Sequence, residues 1–306
     1  MRRETIAELA EEHGLPLPDV INFDGFTEFN AAYGGMVRVL RRPEDLLRVI
    51  DEAVADAAAD GCLYLELGAS PDMHAATFGG REEALVAMID QAAASGAAHG
   101  VEVGLMASAD RMADPAVAVA LAELVVPYAG RGVVSFGLAN EERGYPARLF
   151  AESFAIARAA GLQSAPHGGE LVGPESVWGA LMDLHADRIL HGVRALEDPD
   201  LLLHLARAGT CLDVCPTSNL ILGVVDDLAT HPLRALLDAG IRCSINADDP
   251  ALFGSGIAAE YQLARDTIGL SDAQLADCAW SSFDCSPASA AVTARARAGI
   301  DAWLAA

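Results

Sequence analysis

The 306-residue sequence predicts an α/β fold of the (β/α)8 barrel class (a TIM barrel) that lacks the first strand of such a barrel. Amphipathic helical patterns alternate with short apolar runs, which lack strict polar alternation, as expected of strands buried on both faces. No glycine-rich phosphate loop opens a helix after an early strand, which disfavours a doubly wound open sheet. The length suits one barrel without a linker, so we expect residues 1–306 to form a single domain.

The chain begins with a helical pattern in which Ile6, Leu9 and Ala10 share a face and Gly14 marks the end. Helix–strand units then follow one another. The expected units are 46–59 with 62–70, 81–99 with 101–108, 114–128 with 133–139, 147–160 with 162–169, 174–186 with 188–192, 198–208 with 210–216, and 231–239 with 242–249. This pattern predicts seven strands, none of which precedes the first helix.

Composition excludes several classes of function. A formal net charge of −24 disfavours nucleic acid or an anionic membrane surface as a partner, and a solvated acidic surface explains it simply. All 20 cationic side chains are arginine. The absence of lysine excludes Schiff-base chemistry, lysine general bases and metal sites bridged by a modified lysine.

The expected location is the cytoplasm. Acidic residues interrupt the N-terminal stretch where a secretion signal would be apolar, and no apolar run is long enough to span a membrane. The six cysteines include no C-x-x-C pair, and most lie in apolar runs. We expect them to be reduced core residues rather than metal ligands or disulfides.

Chemically capable side chains stand at the ends of four expected strands, where barrels of this class place their working groups. They are His167-Gly-Gly-Glu170, His191-Gly192, Cys215-Pro-Thr-Ser-Asn219 and Asp248-Asp249-Pro250. Each motif alone is weak evidence for a functional site, since a single histidine is usually a core residue and Asp-Asp-Pro is usually a polar turn. Their joint occurrence at successive strand ends predicts one site.

These residue types suit metal-assisted hydrolysis. A neutral imidazole (His167) and a carboxylate (Asp248) are ordinary zinc ligands, and a catalytic zinc keeps a position open for water. The metal lowers the pKa of that water toward about 7. His191 can orient the water, Glu170 can move protons, and Asp249 remains free to bind substrate.

The segments SAPHGGE, RILHGVRALEDP, CPTSNL and SINADDPALFG together resemble the adenosine deaminase family, whose members hydrolyse the 6-amino group of purines. The likeness runs from residue 3 to residue 286. It implies one zinc ion per chain, bound by His167 and Asp248. It also implies that Glu170 protonates the ring nitrogen beside the attacked carbon, that His191 acts on the activated water, and that Asp249 holds the N7 edge of the purine.

The resemblance also bears on the substrate. Asn140 stands where the family often has a glycine against the purine, and Gly169 allows substrate to approach the backbone closely. Leu171 follows HGGE where family members acting on free adenine carry a further Glu. We therefore expect a small-molecule aminopurine nucleoside, either adenosine or a modified adenosine such as aminodeoxyfutalosine. Ser218 and Asn219 are expected to shape the rim of the site.

One motif of the family is absent. Its first strand usually ends in H-x-H, with both histidines on zinc, and no H-x-H occurs in this sequence. We therefore expect a chain that starts at Met1 to hold little zinc and to show little activity, with a misassigned start as the favoured cause. Two alternatives remain open: a metal-free, impaired purine-binding barrel, and another metallohydrolase of the same superfamily. Formation of a homo-oligomer also remains open.

Overall fold

The computed structural model describes residues 1–20 and 23–306. In the described chain, an all-parallel, seven-stranded sheet follows the order of the sequence, and each strand pairs with the next. The strands are β1 (Tyr64–Ala69), β2 (Glu102–Asp110), β3 (Val133–Ala139), β4 (Gln163–Gly168), β5 (Arg188–His191), β6 (Cys211–Val214) and β7 (Arg242–Ile245). The seven expected strands are confirmed, and β1 and β7 form the two edges of the sheet.

Helices precede β1 and follow each of the seven strands. They are α1 (Arg3–Glu12), α2 (Gly25–Arg38), α3 (Pro43–Ala59), α4 (Pro71–Phe78), α5 (Arg81–His99), α6 (Pro115–Val125), α7 (Ala151–Ala159), α8 (Pro174–Asp183), α9 (Pro199–Ala208), α10 (Pro216–Ile221), α11 (Leu233–Asp238), α12 (Pro250–Phe253), α13 (Ile257–Leu263), α14 (Asp272–Asp284) and α15 (Ala290–Leu304). None of the helices in the described ranges has the length and apolarity needed to cross a membrane.

The sheet curls into a barrel, and an ion-pair cluster crosses its interior. The guanidinium of Arg188 on β5 lies 2.6 Å from Glu66 on β1 and 2.9 Å from Asp213 on β6. Three strands separate β1 from β5 in the sheet, so this contact requires the sheet to be strongly curved. Ser135 on β3 also donates to Glu66, and Ser244 on β7 donates to Asp213. Apolar residues such as Ile189 and Leu212 instead pack in the layer between the strands and helices.

Helix α1 joins the two edges of the sheet. Its apolar face, with Ile6 and Leu9, is buried in a cluster that contains residues of both α3 and α12. The guanidinium of Arg3 donates to the carbonyl oxygens of Ala251 (2.7 Å) and Leu252 (2.9 Å). The helix thus connects the elements beside β1 with the segment that follows β7.

The start of α3 is fixed by the buried carboxylate of Asp45. It accepts hydrogen bonds from the backbone amides of Arg41 and Arg42, and lies 2.8 Å from Nε2 of His13. Burial raises the pKa of Asp45, but its hydrogen bonds with Arg42, His13 and Arg41 outweigh burial and hold it below the usual value. The carboxylate therefore caps α3 as an anion.

Candidate active site

The strand register places the predicted histidines side by side. In the β4–β5 ladder His167 pairs with Leu190, and Gly168 pairs with His191, so both histidines reach the same edge of the sheet. Their ring centroids lie 5.2 Å apart. Because the strands are parallel, this is the carboxyl-terminal edge, where barrel enzymes bind their substrates.

His167 has the hydrogen bonding that a metal-ligating histidine needs. Its Nδ1 donates to the carbonyl oxygen of Leu138, 2.9 Å away, which leaves the lone pair of Nε2 free. Burial, with the nearby charges of His191 and Arg111, holds the pKa of His167 well below its usual value. The imidazole is therefore neutral at pH 7, as metal binding requires.

Glu170, His191 and Asp248 surround a small gap. Nε2 of His191 lies 3.7 Å from Oε1 of Glu170 and 3.9 Å from Oδ2 of Asp248. Burial, together with the carboxylates of Asp248 and Glu142, raises the pKa of Glu170 to about 7. Burial disfavours a charge on His191, but Glu170 and Asp248 outweigh burial and raise its pKa. The distances leave room for a small ligand between the three groups.

The two aspartates lie beyond the end of a strand. Strand β7 ends at Ile245, so the strand expected over 242–249 does not reach the two aspartates, and the alternation of side chains along a strand does not separate them. Asp248 instead adopts a left-handed backbone with φ of 56°, whereas Asp249 has φ of −114° and precedes α12. The reversal of φ between neighbours gives them different environments.

Unusual backbone conformations concentrate in the predicted site. Among the described residues, the non-glycine positions with positive φ are Asn140, His185, His191 and Asp248. Three of these four are predicted site residues. Such conformations cost free energy and persist where the surrounding structure enforces them, often at functional sites.

The arrangement fits a metal ion. Ligand atoms of His191, Cys215 and Asp248 all lie within 4.8 Å of one another, and His167 lies beside His191. Imidazole nitrogen, carboxylate oxygen and thiolate sulfur are all donors that zinc accepts. Cys215 was expected to be a core residue, and it is buried, yet its sulfur lies at the site.

The predicted substrate residues have different surroundings. The amide of Asn140 donates to Asp110 at 2.9 Å, so it is bonded along the rim of the sheet. Gly169 has φ of +70°, and a Cβ there would lie 2.4 Å from Val177, so only glycine fits where the loops after β4 and β5 meet. Burial and the neighbouring Asp248 raise the pKa of Asp249 to about 7.

Sequence reasoning missed two buried residues that support the site. Glu142 accepts hydrogen bonds from the backbone amides of Glu170 (3.4 Å) and Val172 (3.0 Å), and so anchors the loop that carries Glu170. Arg111 donates to the carbonyl oxygens of Tyr145 and His167. Adjacent acidic residues at 141 and 142, directly after an expected strand, were a signal for Glu142. Nothing in the sequence singled out Arg111.

A cleft of about 480 Å³ opens beside Glu170. Its walls include Phe26 from α2, Leu222 after α10, and the arginines Arg143 and Arg194. Each arginine is paired with a nearby glutamate, so the cleft carries little net charge. Its size suits a small molecule.

Comparison with known proteins establishes the family. The profile of the family described as adenosine deaminase matches residues 1–303. This chain belongs to the adenosine deaminase family. It is accordingly an aminohydrolase, and the resemblance inferred from its motifs is confirmed.

Relatives within the adenosine deaminase family carry different names. A putative adenosine/adenine deaminase of Streptomyces coelicolor is 43% identical over 99% of this chain and 93% of its own length. An aminodeoxyfutalosine deaminase of Streptomyces avermitilis is 37% identical over 98% of this chain and 88% of its own.

Two crystal structures of related proteins show the same fold. The adenine deaminase of Arthrobacter aurescens superposes with a TM-score of 0.92 at 29% identity, covering 100% of this chain and 95% of its own. An amidohydrolase from Burkholderia ambifaria, whose structure has bound zinc, superposes with a TM-score of 0.86 at 26% identity. The match covers 98% of this chain and 86% of the amidohydrolase. The barrel fold expected from the sequence is thereby confirmed.

Proposed function

We propose that this enzyme hydrolyses the 6-amino group of an aminopurine nucleoside, adenosine or a modified adenosine, and releases ammonia. The relatives support an adenine-type substrate, since their names include adenosine, adenine and aminodeoxyfutalosine deaminases. A nucleoside is favoured over the free base because Leu171 follows Glu170 in place of a further acidic residue. The acidic surface offers little to anionic polymers, so the substrate is a free small molecule.

The observation that carries this proposal is the gap between Glu170, His191 and Asp248. It brings a proton donor and a carboxylate within 4 Å of one imidazole, since Oε1 of Glu170 and Oδ2 of Asp248 lie 3.7 and 3.9 Å from Nε2 of His191. Hydrolytic deamination needs a water activated on one side and a proton delivered to the ring on the other.

We assign one zinc ion to this gap, with His167 and Asp248 as ligands from this chain. The free Nε2 of His167 and its neutral state support the assignment, as does the zinc in the related amidohydrolase. Bound there, the ion would supply Lewis acidity toward a water molecule.

The protein's own residues handle protons and orientation. Glu170, with a pKa of about 7, can hold a proton and deliver it to the ring nitrogen beside the reacting carbon. Asp249, whose pKa is also raised to about 7, can form a hydrogen bond with the N7 edge of the purine. The backbone of Gly169 can approach the ring closely because it carries no side chain.

Ammonia release and metal content test the proposal. The proposal requires the purified protein supplied with zinc to release ammonia from adenosine or aminodeoxyfutalosine faster than from adenine, whereas the absence of an H-x-H motif from the sequence predicts little bound zinc and little release. Glu170→Gln should retain fold and metal yet lower turnover by about 10²–10⁴-fold. Glu175→Gln, an exposed carboxylate on α8, is the matched control and should leave turnover unchanged. A loss below tenfold in Glu170→Gln would remove Glu170 from the mechanism, and zinc binding without ammonia release would favour an impaired purine-binding barrel.

A further inference from the structure

A chain of hydrogen bonds runs from the backbone at α11 to the active-site imidazole. The amide of Leu233 donates to Nδ1 of His231 (3.1 Å), and Nε2 of His231 lies 3.2 Å from Oδ1 of Asn219. Nδ2 of Asn219 then lies 3.2 Å from Nδ1 of His191. All three side chains are buried, with 3% of His231, 0% of Asn219 and 1% of His191 exposed. Water therefore does not compete for these bonds.

The direction of every bond follows from the first donor. A backbone N–H can only donate, so Nδ1 of His231 carries no proton, and the neutral ring is protonated on Nε2. Burial lowers the pKa of His231 to about 4, which keeps it neutral. Its Nε2–H donates to the oxygen of the Asn219 amide, and the NH₂ of that amide faces His191. Nδ1 of His191 must then accept, so the neutral ring carries its proton on Nε2.

We propose that Asn219 and His231 are positioning residues that hold the proton of His191 on Nε2, and so keep His191 a hydrogen-bond donor outside the metal's ligand set. The proposal rests on the proposed function of the site.

The geometry explains why this choice of tautomer matters. Nε2 of His191 faces the gap, 3.7 Å from Glu170 and 3.9 Å from Asp248, and His191, Cys215 and Asp248 offer ligand atoms that lie within 4.8 Å of one another. With a lone pair on Nε2, His191 would compete to bind the metal. With a proton there, it donates to the water or substrate oxygen in the gap and cannot bind a cation. Asn219, expected only to shape the rim, thus selects between two roles of the same ring.

The tautomer is directly measurable. The full chain, prepared without metal and labelled with ¹⁵N-histidine, is examined by long-range ¹H–¹⁵N correlation spectra at pH 8. The signals of His191 are assigned by their loss in His191→Gln. We expect an unprotonated Nδ1 and a protonated Nε2 in His191. A proton on Nδ1 would overturn the proposal, whatever the enzymatic activity.

The substitution Asn219→Asp should move the proton of His191 from Nε2 to Nδ1, with almost no change in the shape of the side chain at position 219. A carboxylate can only accept, so it draws the proton of His191 to Nδ1 and exposes the lone pair of Nε2. We expect zinc affinity, measured by competition with a chelating dye, to rise about tenfold, since carboxylate partners of this kind change metal affinity by about 10–100-fold. Turnover should fall about 100-fold, because the donor in the gap is lost.

The outcomes separate the possible explanations. A fall of zinc affinity and turnover together in Asn219→Asp would indicate a structural role and overturn the proposal. Absence of ammonia release from the unaltered enzyme would contradict the proposed function, while the nitrogen spectra and zinc affinities would still decide the tautomer.

Substitutions at His231 provide a second, milder test. His231→Gln retains an N–H donor toward Asn219, whereas His231→Leu of similar bulk has none and leaves the amide free to turn. We expect a mixture of His191 tautomers and lower kcat with little change of KM in His231→Leu, and recovery of most of both effects in His231→Gln. Identical His191 nitrogen spectra in His231→Leu and the unaltered protein would overturn the role of His231.

Discussion

Replacing Arg188 with methionine should destabilise the barrel strongly. The guanidinium bonds to Glu66 (2.6 Å), Asp213 (2.9 Å) and Gln163 (3.2 Å), and the three charged side chains are about nine-tenths buried, with exposed fractions of 10%, 10% and 11%. Methionine fills much of the same space but leaves two carboxylates without a cation. The change also removes the link between β1 and the opposite wall of the barrel.

The expected loss follows from this burial. Removing one partner of a buried ion pair costs about 3–5 kcal/mol, and one guanidinium serving two carboxylates puts Arg188→Met at the upper end of that range. The matched control is Arg242→Met. Arg242 lies 2.6 Å from Asp284, but these side chains are 33% and 42% exposed, so its loss should cost less than about 1 kcal/mol.

The penalty in Arg188→Met should also depend on pH. Burial raises the pKa of Asp213 even in the intact cluster, against the opposing effect of Arg188, and losing the cation raises it further. A carboxyl whose pKa is raised on folding favours the folded state at low pH and loses that contribution as pH rises. The deficit should therefore be larger at pH 8 than at pH 5. Urea unfolding followed by circular dichroism at both pH values measures it, and equal losses in Arg188→Met and Arg242→Met would refute the reasoning.

Three further predictions concern other parts of the chain. Asp248→Asn should abolish zinc binding, whereas Asp249→Asn should keep zinc and lose deamination; equal zinc by elemental analysis would contradict this division. Gly169→Ala and Gly209→Ala should each lower the free energy of unfolding by about 1–3 kcal/mol, because both glycines have left-handed backbones. Gly169→Ala should lower it by more, because of the two positions only Gly169 lacks space for a Cβ. Asp45→Asn should cost about 1–3 kcal/mol at neutral pH, and in thermal melts the deficit should begin to shrink below about pH 4, because a carboxyl whose pKa is depressed on folding loses its contribution as pH falls through the folded pKa.

The order of strands could be predicted because local patterns specify it. The helix at 81–99 and the strand at 133–139 have the expected bounds. Helix α2 was not expected, since adjacent glycines at 34 and 35 weaken its helical pattern, and its stability comes from tertiary packing. The strand expected over 242–249 ends at Ile245, because the left-handed residue at 248 is invisible in sequence.

The site was predictable only in part, for a physical reason. Reactive groups at strand ends carry a signal in their residue types, and His167, Glu170, His191 and Asp248 could be found in this way. Supporting groups such as Glu142 act through contacts between distant segments, which the sequence does not encode locally. The assigned roles of the site residues, the single-domain organisation of 1–306 and the cytoplasmic location stay predictions.

The left-handed backbone conformations of the site residues lower the stability of the fold. Glycine at 140 or 248 would relieve a backbone cost of about 1–3 kcal/mol at each position and would remove the side chain with it, whereas at the buried His191 the cavity left by the ring would outweigh that relief. A mutant library screened only for heat resistance should therefore accumulate glycine at Asn140 and Asp248, whereas a library selected for growth that requires the enzyme's activity should lose those variants. His185, which is left-handed but was not assigned to the site, should accept glycine in both libraries. The difference between the two libraries would map the site before its substrate is known.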